Sequence, residues 1–365
     1  MMGKLARALA WALTVALGAA CAVGLALGLS VTSLWALAAL LGLVSAPLRA
    51  RPKPQAWAAV GALAALVALR VGCADVGGLS MKTAGSPGVG GSGWMGRTLD
   101  EQDAAVLGAW ALWGSGRLPR ERLLGLPWAM RGAYTEMFVR EGFTPTPLPA
   151  TFLGPVSARG YDQIEVAPLG ASPSGLAPGA VVFLHGYAGN FTINCWEVAQ
   201  ATRGLGLWSV CPSMSFDGRW QRRDGEAIVR ATLAELRGRG VQDVWLAGLS
   251  NGAIGASRLA SPLRRELRGV ILLSGASAGA GDAGLPTLLL TGAWDTMTSP
   301  ATSRALAKRL GERATYVELP DEGHFVFLQA RDEVRDHIHG WLKAQRTPMT
   351  APRPAPRGAT PRRHL

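Results

Sequence analysis

The chain has 365 residues, of which 48% are hydrophobic, so it can bury a substantial core in one large domain or two small ones. Its formal net charge of +12 would permit contact with acidic lipid headgroups or with nucleic acid. The sequence has no zinc-ligand spacing, RNP-like aromatic motif or basic helix, which excludes the common nucleic-acid-binding modules and leaves generic surface charge as the interpretation.

Residues 1–76 are predicted to form a membrane anchor. Lys4 and Arg7 precede residues 8–48, which carry no charged side chain and are long enough for two helical spans of about 20 residues each. A third apolar run covers residues 54–69. A cleaved signal peptide is the alternative for the first run, but it would leave two apolar segments unexplained.

The orientation of the anchor follows from its basic residues, which are expected to stay in the cytoplasm. These residues are Lys4, Arg7, Arg49, Arg51 and Lys53. With three spans, everything after Cys73 lies outside the cytoplasm, whereas with two spans it lies inside. We favour three spans, which predicts an extracytoplasmic position for the remainder of the chain.

Residues 77–97 are rich in Gly and Ser, which predicts a flexible linker. A helical segment is predicted to follow over residues 98–150. Thr98 and Glu101 form a capping-box pattern that opens its first helix. A second helical pattern, from Arg120 to Glu141, has apolar side chains at a spacing of three to four. These helices are either packing elements or a cover over a substrate site, and the sequence does not choose.

Strand and helix patterns alternate across residues 151–345, which predicts a mostly parallel sheet with helices on both faces. Several strands are apolar throughout, as expected where both faces are covered. The predicted strands are Tyr161–Val166, Val181–Leu184, Leu207–Cys211, Val244–Ala247, Val270–Leu273, Thr287–Thr291 and Thr315–Leu319. The basic, Pro-rich tail, residues 346–365, is predicted to be disordered.

A G-x-S-x-G box, Gly248-Leu249-Ser250-Asn251-Gly252, lies between a predicted strand and a predicted helix. Strand, sharp turn and helix together present a serine hydroxyl at a sheet edge as a nucleophile. A second box, residues 275–279, also follows a strand, but a loop rich in Gly and Ala comes after it. Ser250 is therefore the candidate nucleophile, and Ser277 is predicted to be a loop residue.

Two further candidates follow predicted strands, where ligands bind on parallel sheets. A serine hydroxyl needs an adjacent base, and His324 can supply it while Asp295 fixes the imidazole tautomer. The chain order Ser, Asp, His is the order that accompanies a nucleophile elbow. Asp282, in the loop after the preceding strand, is the reserve acid.

The run His185-Gly186-Tyr187-Ala188-Gly189-Asn190 also follows a predicted strand. A turn there would aim the backbone N–H of Tyr187 at the same point as that of Asn251, the residue after the nucleophile. Two such donors form an oxyanion hole, in which one donor can contribute about 3 kcal/mol to acyl transfer. His185 itself is predicted to shape the loop rather than to act as a base.

Together these four motifs resemble the α/β-hydrolase family, and the resemblance covers residues ~150 to 345. It implies an eight-stranded sheet, hydrolysis of esters, thioesters, amides or peptides, and neither a metal nor an organic cofactor. The oxyanion loop is similar to that of dienelactone-hydrolase-like, cutinase-like and polyester-depolymerase-like members. Little inserted lid is expected between the sixth and seventh predicted strands.

The sequence thus predicts a membrane-anchored serine hydrolase that acts through an acyl-enzyme on a small-molecule or lipid-like acyl substrate. A carboxylic ester is the favoured substrate, and peptide hydrolysis is the alternative within the same chemistry. Two other functions stay open: an acyltransferase on the same fold, and a catalytically silent envelope binding or scaffold module. Cys195 and Cys211 form either a disulfide, which suits an oxidising compartment, or two buried thiols.

Overall fold

A computed structural model of the chain describes residues 4–27, 29–48, 52–73, 77–85, 91–116, 125–153, 157–168 and 179–346. The predicted disordered tail lies outside these residues from position 347 onward. So does the start of the second predicted helix, residues 120–124.

Three N-terminal helices are each long and apolar enough to cross a membrane. The third helix has 21 residues, although its uncharged run has only sixteen. The helix also includes Lys53 near its start and Arg70 near its end, and long basic side chains at such positions can reach past the apolar layer of a membrane. The helices are α1 (Lys4–Leu27), α2 (Val31–Ser45, continued by a 3₁₀ turn to Leu48) and α3 (Pro52–Gly72).

The described residues after the anchor contain one eight-stranded sheet with the spatial order β1-β2-β4-β3-β5-β6-β7-β8. The first two strands run antiparallel to their neighbours, and the pairs from β4 to β8 are parallel. This confirms the predicted mostly parallel sheet. The strands are β1 (Leu79–Gly85), β2 (Gly160–Val166), β3 (Gly179–Leu184), β4 (Leu207–Pro212), β5 (Asp243–Leu249), β6 (Gly269–Leu273), β7 (Thr287–Gly292) and β8 (Ala314–Leu319).

Strand β1 corrects the expectation of a flexible linker over residues 77–97. It pairs with β2 along its whole length, from Leu79 opposite Val166 to Gly85 opposite Gly160. Its sequence is short and half polar because it is an edge strand, so its local pattern resembles that of a linker. The sheet therefore begins at Leu79, whereas the first predicted strand begins at Tyr161.

The predicted helical segment is consequently an insertion between β1 and β2, within the fold of the sheet. Its helices are α4 (Met95–Thr98), α5 (Glu101–Gly114), α6 (Gly125–Glu141) and α7 (Leu148–Leu153). The predicted capping box is absent from the start of α5. The Thr98 hydroxyl donates to the carbonyl of Met95, 3.0 Å away, and the Glu101 side chain is buried against other elements.

The remaining helices cover both faces of the sheet, and each face has its own hydrophobic core. Helices α5 and α6 pack into the same core as Phe183, Trp196 and Phe327, so they belong to the main body of the domain. No helix is found between β6 and β7. The later helices are α8 (Thr192–Ala201), α9 (Arg223–Gly238), α10 (Asn251–Leu263), α11 (Pro300–Leu310), α12 (Val326–Gln329) and α13 (Arg331–Gln345).

Hydrogen bonds join the anchor to the insertion. Asp103 in the first turn of α5 accepts from the backbone N–H of Ser30 at 2.9 Å and from its hydroxyl at 2.7 Å. Arg70 donates to the carbonyl of Leu99 at 2.6 Å. The α1–α2 turn and the end of α3 therefore both contact the start of α5.

A disulfide joins Cys195 in α8 to Cys211 at the end of β4, with Cα atoms 5.9 Å apart. The structure thus contains the disulfide rather than two buried thiols. It ties the helix after the candidate oxyanion loop to a central strand.

Replacing both cysteines by alanine is expected to lower the free energy of unfolding by about 3 kcal/mol, because a cross-link across roughly 15 residues restricts the unfolded chain. Thermal unfolding of the detergent-solubilised chain, with and without reductant, measures the change. Reductant should have no effect on the double variant. An unchanged melting temperature of the reduced wild type would contradict the prediction.

Candidate active site

Ser250 lies at a sharp turn between β5 and α10, with backbone angles φ 56° and ψ −120°. A non-glycine residue with positive φ carries strain of about 1–3 kcal/mol and persists only where its surroundings enforce it. Gly252 does so here, because a Cβ at that position would lie 1.9 Å from the carbonyl oxygen of Leu184. The two glycines of the box are thus packing requirements, and they let helix α10 approach strand β3 closely.

The turn brings the Ser250 hydroxyl to His324. The Nε2 atom of His324 lies 3.0 Å from Ser250 Oγ, and its Nδ1 atom lies 2.8 Å from Oδ2 of Asp295. All three side chains are buried, with 8%, 6% and 6% of the respective residues exposed. The structure therefore brings the three predicted residues together in a hydrogen-bonded chain.

Asp295 follows strand β7, and a tight loop holds its carboxylate in place. Oδ1 accepts from the backbone N–H groups of Met297 and Thr298, both at 2.8 Å. The Thr298 hydroxyl lies 2.7 Å from Oδ2. Burial disfavours the carboxylate of Asp295, but hydrogen bonds from His324 and Thr298 outweigh it and hold the pKa below its ordinary value. The contact of Thr298 with the Asp295 carboxylate was not predicted from the sequence. The only signal for it is the position of Thr298, three residues after the acid.

The prediction of Asp282 as the reserve acid is wrong, because its side chain does not reach His324. It lies exposed in the loop after β6, accepts from the N–H of Gly284 at 2.8 Å and pairs with Arg313. Because Asp295 already occupies Nδ1 of His324, Asp282 has no part in this site.

The predicted oxyanion loop lies directly against the Ser250 turn. A Cβ added to Gly186 would lie 3.0 Å from the Cβ of Ser250. Ala188 has a positive φ of 77° and donates its N–H to the carbonyl of Phe216 at 2.9 Å. Within the described residues, the backbone N–H groups of Tyr187 and Asn251 have no hydrogen-bond acceptor. Both are therefore free to donate to a ligand.

His185 supports this loop from behind. Its Nε2 atom accepts the N–H of Met214 at 2.9 Å, and its Nδ1 atom lies 2.8 Å from the carbonyl oxygen of Gly186. Trp220 donates to the carbonyl oxygen of His185 at 2.9 Å. Burial lowers the pKa of His185 to about 4, so the ring is neutral and holds the loop, as the sequence predicts.

A cavity of about 380 Å³ contains Ser250 and His324 in its wall, and we call it the Ser250 cavity. The oxyanion loop forms one side of it. Helices α5 and α6 lie across from the serine, and we call them the roof helices. The roof residues that line the cavity include Ala105, Gly108, Ala109, Leu112, Met130 and Tyr134. These helices thus pack into the main core and also line the cavity, and their role as a substrate cover stays a prediction.

A buried carboxylate fastens the roof helices to the oxyanion side. Glu101, at the start of α5, accepts from the hydroxyls of Tyr134 at 2.9 Å and Thr146 at 2.5 Å. It also accepts from the backbone N–H groups of Thr192 and Ile193, at 2.8 and 3.1 Å, and so caps helix α8. Burial raises the pKa of Glu101, although these four donors oppose the shift. Glu101 thus links both roof helices to the helix that follows the oxyanion loop.

Comparisons with known proteins give matches to parts of this chain. Residues 274–353 match an α/β-hydrolase family model described as TAP-like protein. No curated protein matches the sequence.

Several solved structures are similar to about half of this chain. A protein of Xanthomonas campestris, described as an α/β serine hydrolase without lid, is 23% identical, with 52% of this chain and 91% of that chain covered and a TM-score of 0.42. An α/β serine hydrolase homologue from Coxiella burnetii is 21% identical, with coverage of 52% and 94% and a TM-score of 0.43. Est1E from Butyrivibrio proteoclasticus is 13% identical, with coverage of 51% and 94% and a TM-score of 0.42.

Acid is expected to destabilise the fold through His185. Between the ordinary histidine pKa of 6.5 and its folded value of about 4, the unfolded chain binds a proton that the folded chain does not. The free energy of unfolding should therefore fall as the pH drops through this window, by up to about 3 kcal/mol. Unfolding of the solubilised chain between pH 4 and 7.5, compared with His185→Gln, measures the effect. The variant should lose this part of the pH slope, and an equal slope in both would contradict the assignment.

Proposed function

We propose that this chain, which has the α/β-hydrolase fold, is a membrane-anchored serine hydrolase that cleaves carboxylic esters through an acyl-enzyme on Ser250. One observation carries the proposal: the buried hydrogen-bonded chain Ser250–His324–Asp295 opens into a cavity beside two free backbone N–H donors.

The first half of the reaction forms the acyl-enzyme. Ser250 Oγ attacks the ester carbonyl carbon as its proton passes to Nε2 of His324. The Asp295 carboxylate accepts the Nδ1–H of the ring, which fixes the tautomer and stabilises the imidazolium that forms. The low pKa of Asp295 keeps the carboxylate ionised for this role. The departing alkoxide then takes the proton from Nε2 and leaves as the alcohol.

The second half repeats the proton transfers with water as the nucleophile. Water attacks the acyl carbon and gives a proton to Nε2, and the tetrahedral intermediate collapses to release the carboxylic acid. Ser250 regains its proton from His324. In both halves the negative charge on the carbonyl oxygen would be held by the N–H groups of Tyr187 and Asn251. Such preorganised donors lower the barrier without reorganisation at the moment of reaction.

A fluorophosphonate probe is expected to label the full chain at Ser250. Ser250→Ala should abolish labelling, because it removes the nucleophile, and Asp295→Asn should lower the turnover of a p-nitrophenyl ester by roughly 10³- to 10⁴-fold. Ser277→Ala is the matched control, since it alters the serine of the second G-x-S-x-G box and should leave labelling intact. Labelled protein resolved by mass spectrometry provides the measurement. A wild type that stays unlabelled would favour the silent binding or scaffold module instead.

We further propose that helices α1 to α3 cross the membrane and that the catalytic domain lies outside the cytoplasm. Lys4 and Arg7 place the start of α1 in the cytoplasm by the positive-inside rule. The α1–α2 turn is then on the opposite side. Because Ser30 in this turn hydrogen-bonds to Asp103 of the insertion, the domain must share its side. The end of α3, where Arg70 contacts Leu99, gives the same position.

The disulfide supports this orientation independently. Disulfides form and persist in oxidising compartments and are rare in the cytosol. The pair Cys195–Cys211 is fully buried beside a central strand, which fits a structural role.

Two fusions to alkaline phosphatase, which is active only outside the cytoplasm, would test the orientation. The enzyme fused to the C-terminus of the full chain should be active in a bacterial host. The same enzyme fused after residue 50, between α2 and α3, should be inactive, because that segment carries the basic cluster. Activity of only the second fusion would overturn the proposed orientation.

A further inference from the structure

We infer that the Ser250 cavity is the acyl-chain site of this hydrolase, that it takes a neutral acyl chain of medium length, and that Gly108 of the roof limits this length. The inference deepens the proposed function and rests on it for the reaction. It rests on the cavity alone for binding.

The first argument is the chemistry of the lining. Of the described residues that line the cavity, none is Asp, Glu, Lys or Arg. The Tyr134 hydroxyl, a polar group of the roof, already donates to Glu101. A charged acyl group would therefore lose its water without gaining an oppositely charged partner, whereas an alkyl chain loses nothing polar. The lining thus favours an aliphatic acyl group.

The second argument is size. The cavity measures about 380 Å³, within the range of small-ligand pockets. A water molecule occupies ~30 Å³ in the liquid, and a methylene group is of similar size, so the cavity holds about a dozen such groups. This space suits an acyl chain of medium length.

The third argument is the shape of the roof. Ala105, Gly108, Ala109 and Leu112 lie at the helical spacing that puts them on one face of α5, and all four line the cavity. Three of these four are Ala or Gly, so the cavity exists because this face lacks bulk. Gly108 has open space around it: an added Cβ would meet no atom within 4 Å. Gly108 lines the cavity and is itself exposed, so a larger side chain there fits without displacing the fold and can extend into the cavity.

The fourth argument is that the roof is fixed. Glu101, with only 5% of the residue exposed, ties α5 and α6 to the start of α8 through four hydrogen bonds. The roof helices also share the main hydrophobic core. Among the described residues, the space above Ser250 is consequently set by the side-chain volume of the roof helices.

The reaction sequence assigns the acyl part to this space. The alcohol leaves in the first half of the reaction and needs an open path, whereas the acyl group stays attached to Ser250 until water has reacted. The side under the roof, where Ala105, Ala109 and Met130 are buried, is therefore suited to the acyl chain. The alcohol has the exposed rim, where the rings of Tyr187 and Phe216 pack with centroids 4.5 Å apart.

The test compares the full-length wild type with Gly108→Leu in lipid nanodiscs. Gly132→Leu is the matched control: Gly132 lies in mid-helix in α6, an added Cβ there meets no atom within 4 Å, and the residue does not line the cavity. The first readout is kcat/KM for p-nitrophenyl acetate, butyrate, octanoate and decanoate. The second is equilibrium binding of decanamide, a neutral amide analogue of the ester, by titration calorimetry against empty nanodiscs.

In wild type, octanoate or decanoate should be preferred over acetate, and decanamide should bind. In Gly108→Leu, the ratio of kcat/KM for octanoate to that for acetate should fall at least tenfold, and decanamide affinity should fall to a similar degree. Gly132→Leu should match wild type in both. A Gly108→Leu profile identical to wild type, or a uniform loss at every chain length, would overturn the inference.

The two readouts separate the two proposals. Decanamide binding that Gly108→Leu removes, without hydrolysis of any ester by wild type, would retain the acyl-chain site and overturn the proposed reaction. Ester hydrolysis by wild type with a chain-length profile that Gly108→Leu leaves unchanged would retain the reaction and overturn the acyl-chain site.

Discussion

The close approach of helix α10 to strand β3 is the constraint on which the rest of the site depends. At Gly252 the two backbones leave no room for a Cβ, and at Gly186 the oxyanion loop meets the Ser250 turn. This contact enforces the positive φ of Ser250. The backbone N–H of Ser250 donates to the carbonyl of Leu273 at 2.9 Å, which also holds the turn against strand β6. Strain of about 1–3 kcal/mol at one residue is tolerable because packing of the whole sheet sustains it.

The insertion between β1 and β2 performs two tasks with one set of helices. The first turn of α5 contacts the anchor through Asp103. Two residues earlier, Glu101 fastens the same turn to helix α8. The middle of α5 lies across from the serine. The residues that contact the N-terminal helices and those that line the Ser250 cavity therefore lie on the same helix, α5. A helix, and not a linker, thus separates these two contacts.

Buried polar groups in this domain are placed where they fix geometry. Asp295 has acceptor capacity for the N–H groups of its own loop as well as for His324, so the imidazole is oriented by a carboxylate that cannot itself rotate away. His185 is kept neutral by burial and joins the oxyanion loop to Met214. The pKa of each group is shifted by the same surroundings that hold it in place: hydrogen bonds lower that of Asp295, and burial lowers that of His185.

The sequence by itself determined the features that local chain geometry encodes: the parallel sheet, the Ser250 turn, and the order in which Ser250, Asp295 and His324 follow their strands. These could be predicted because strand and helix periods are local, and because parallel strands end at one edge of the sheet. Only the tertiary structure decided that residues 79–85 are a strand, that Asp282 is remote from the site, and that Glu101 belongs to the cap of α8 rather than to its own helix. Those contacts join residues far apart in the chain, such as Glu101 and Thr192, which are 91 positions apart. No local period records such a pairing, because its free energy comes from burial and hydrogen bonding that exist only once the sheet has assembled.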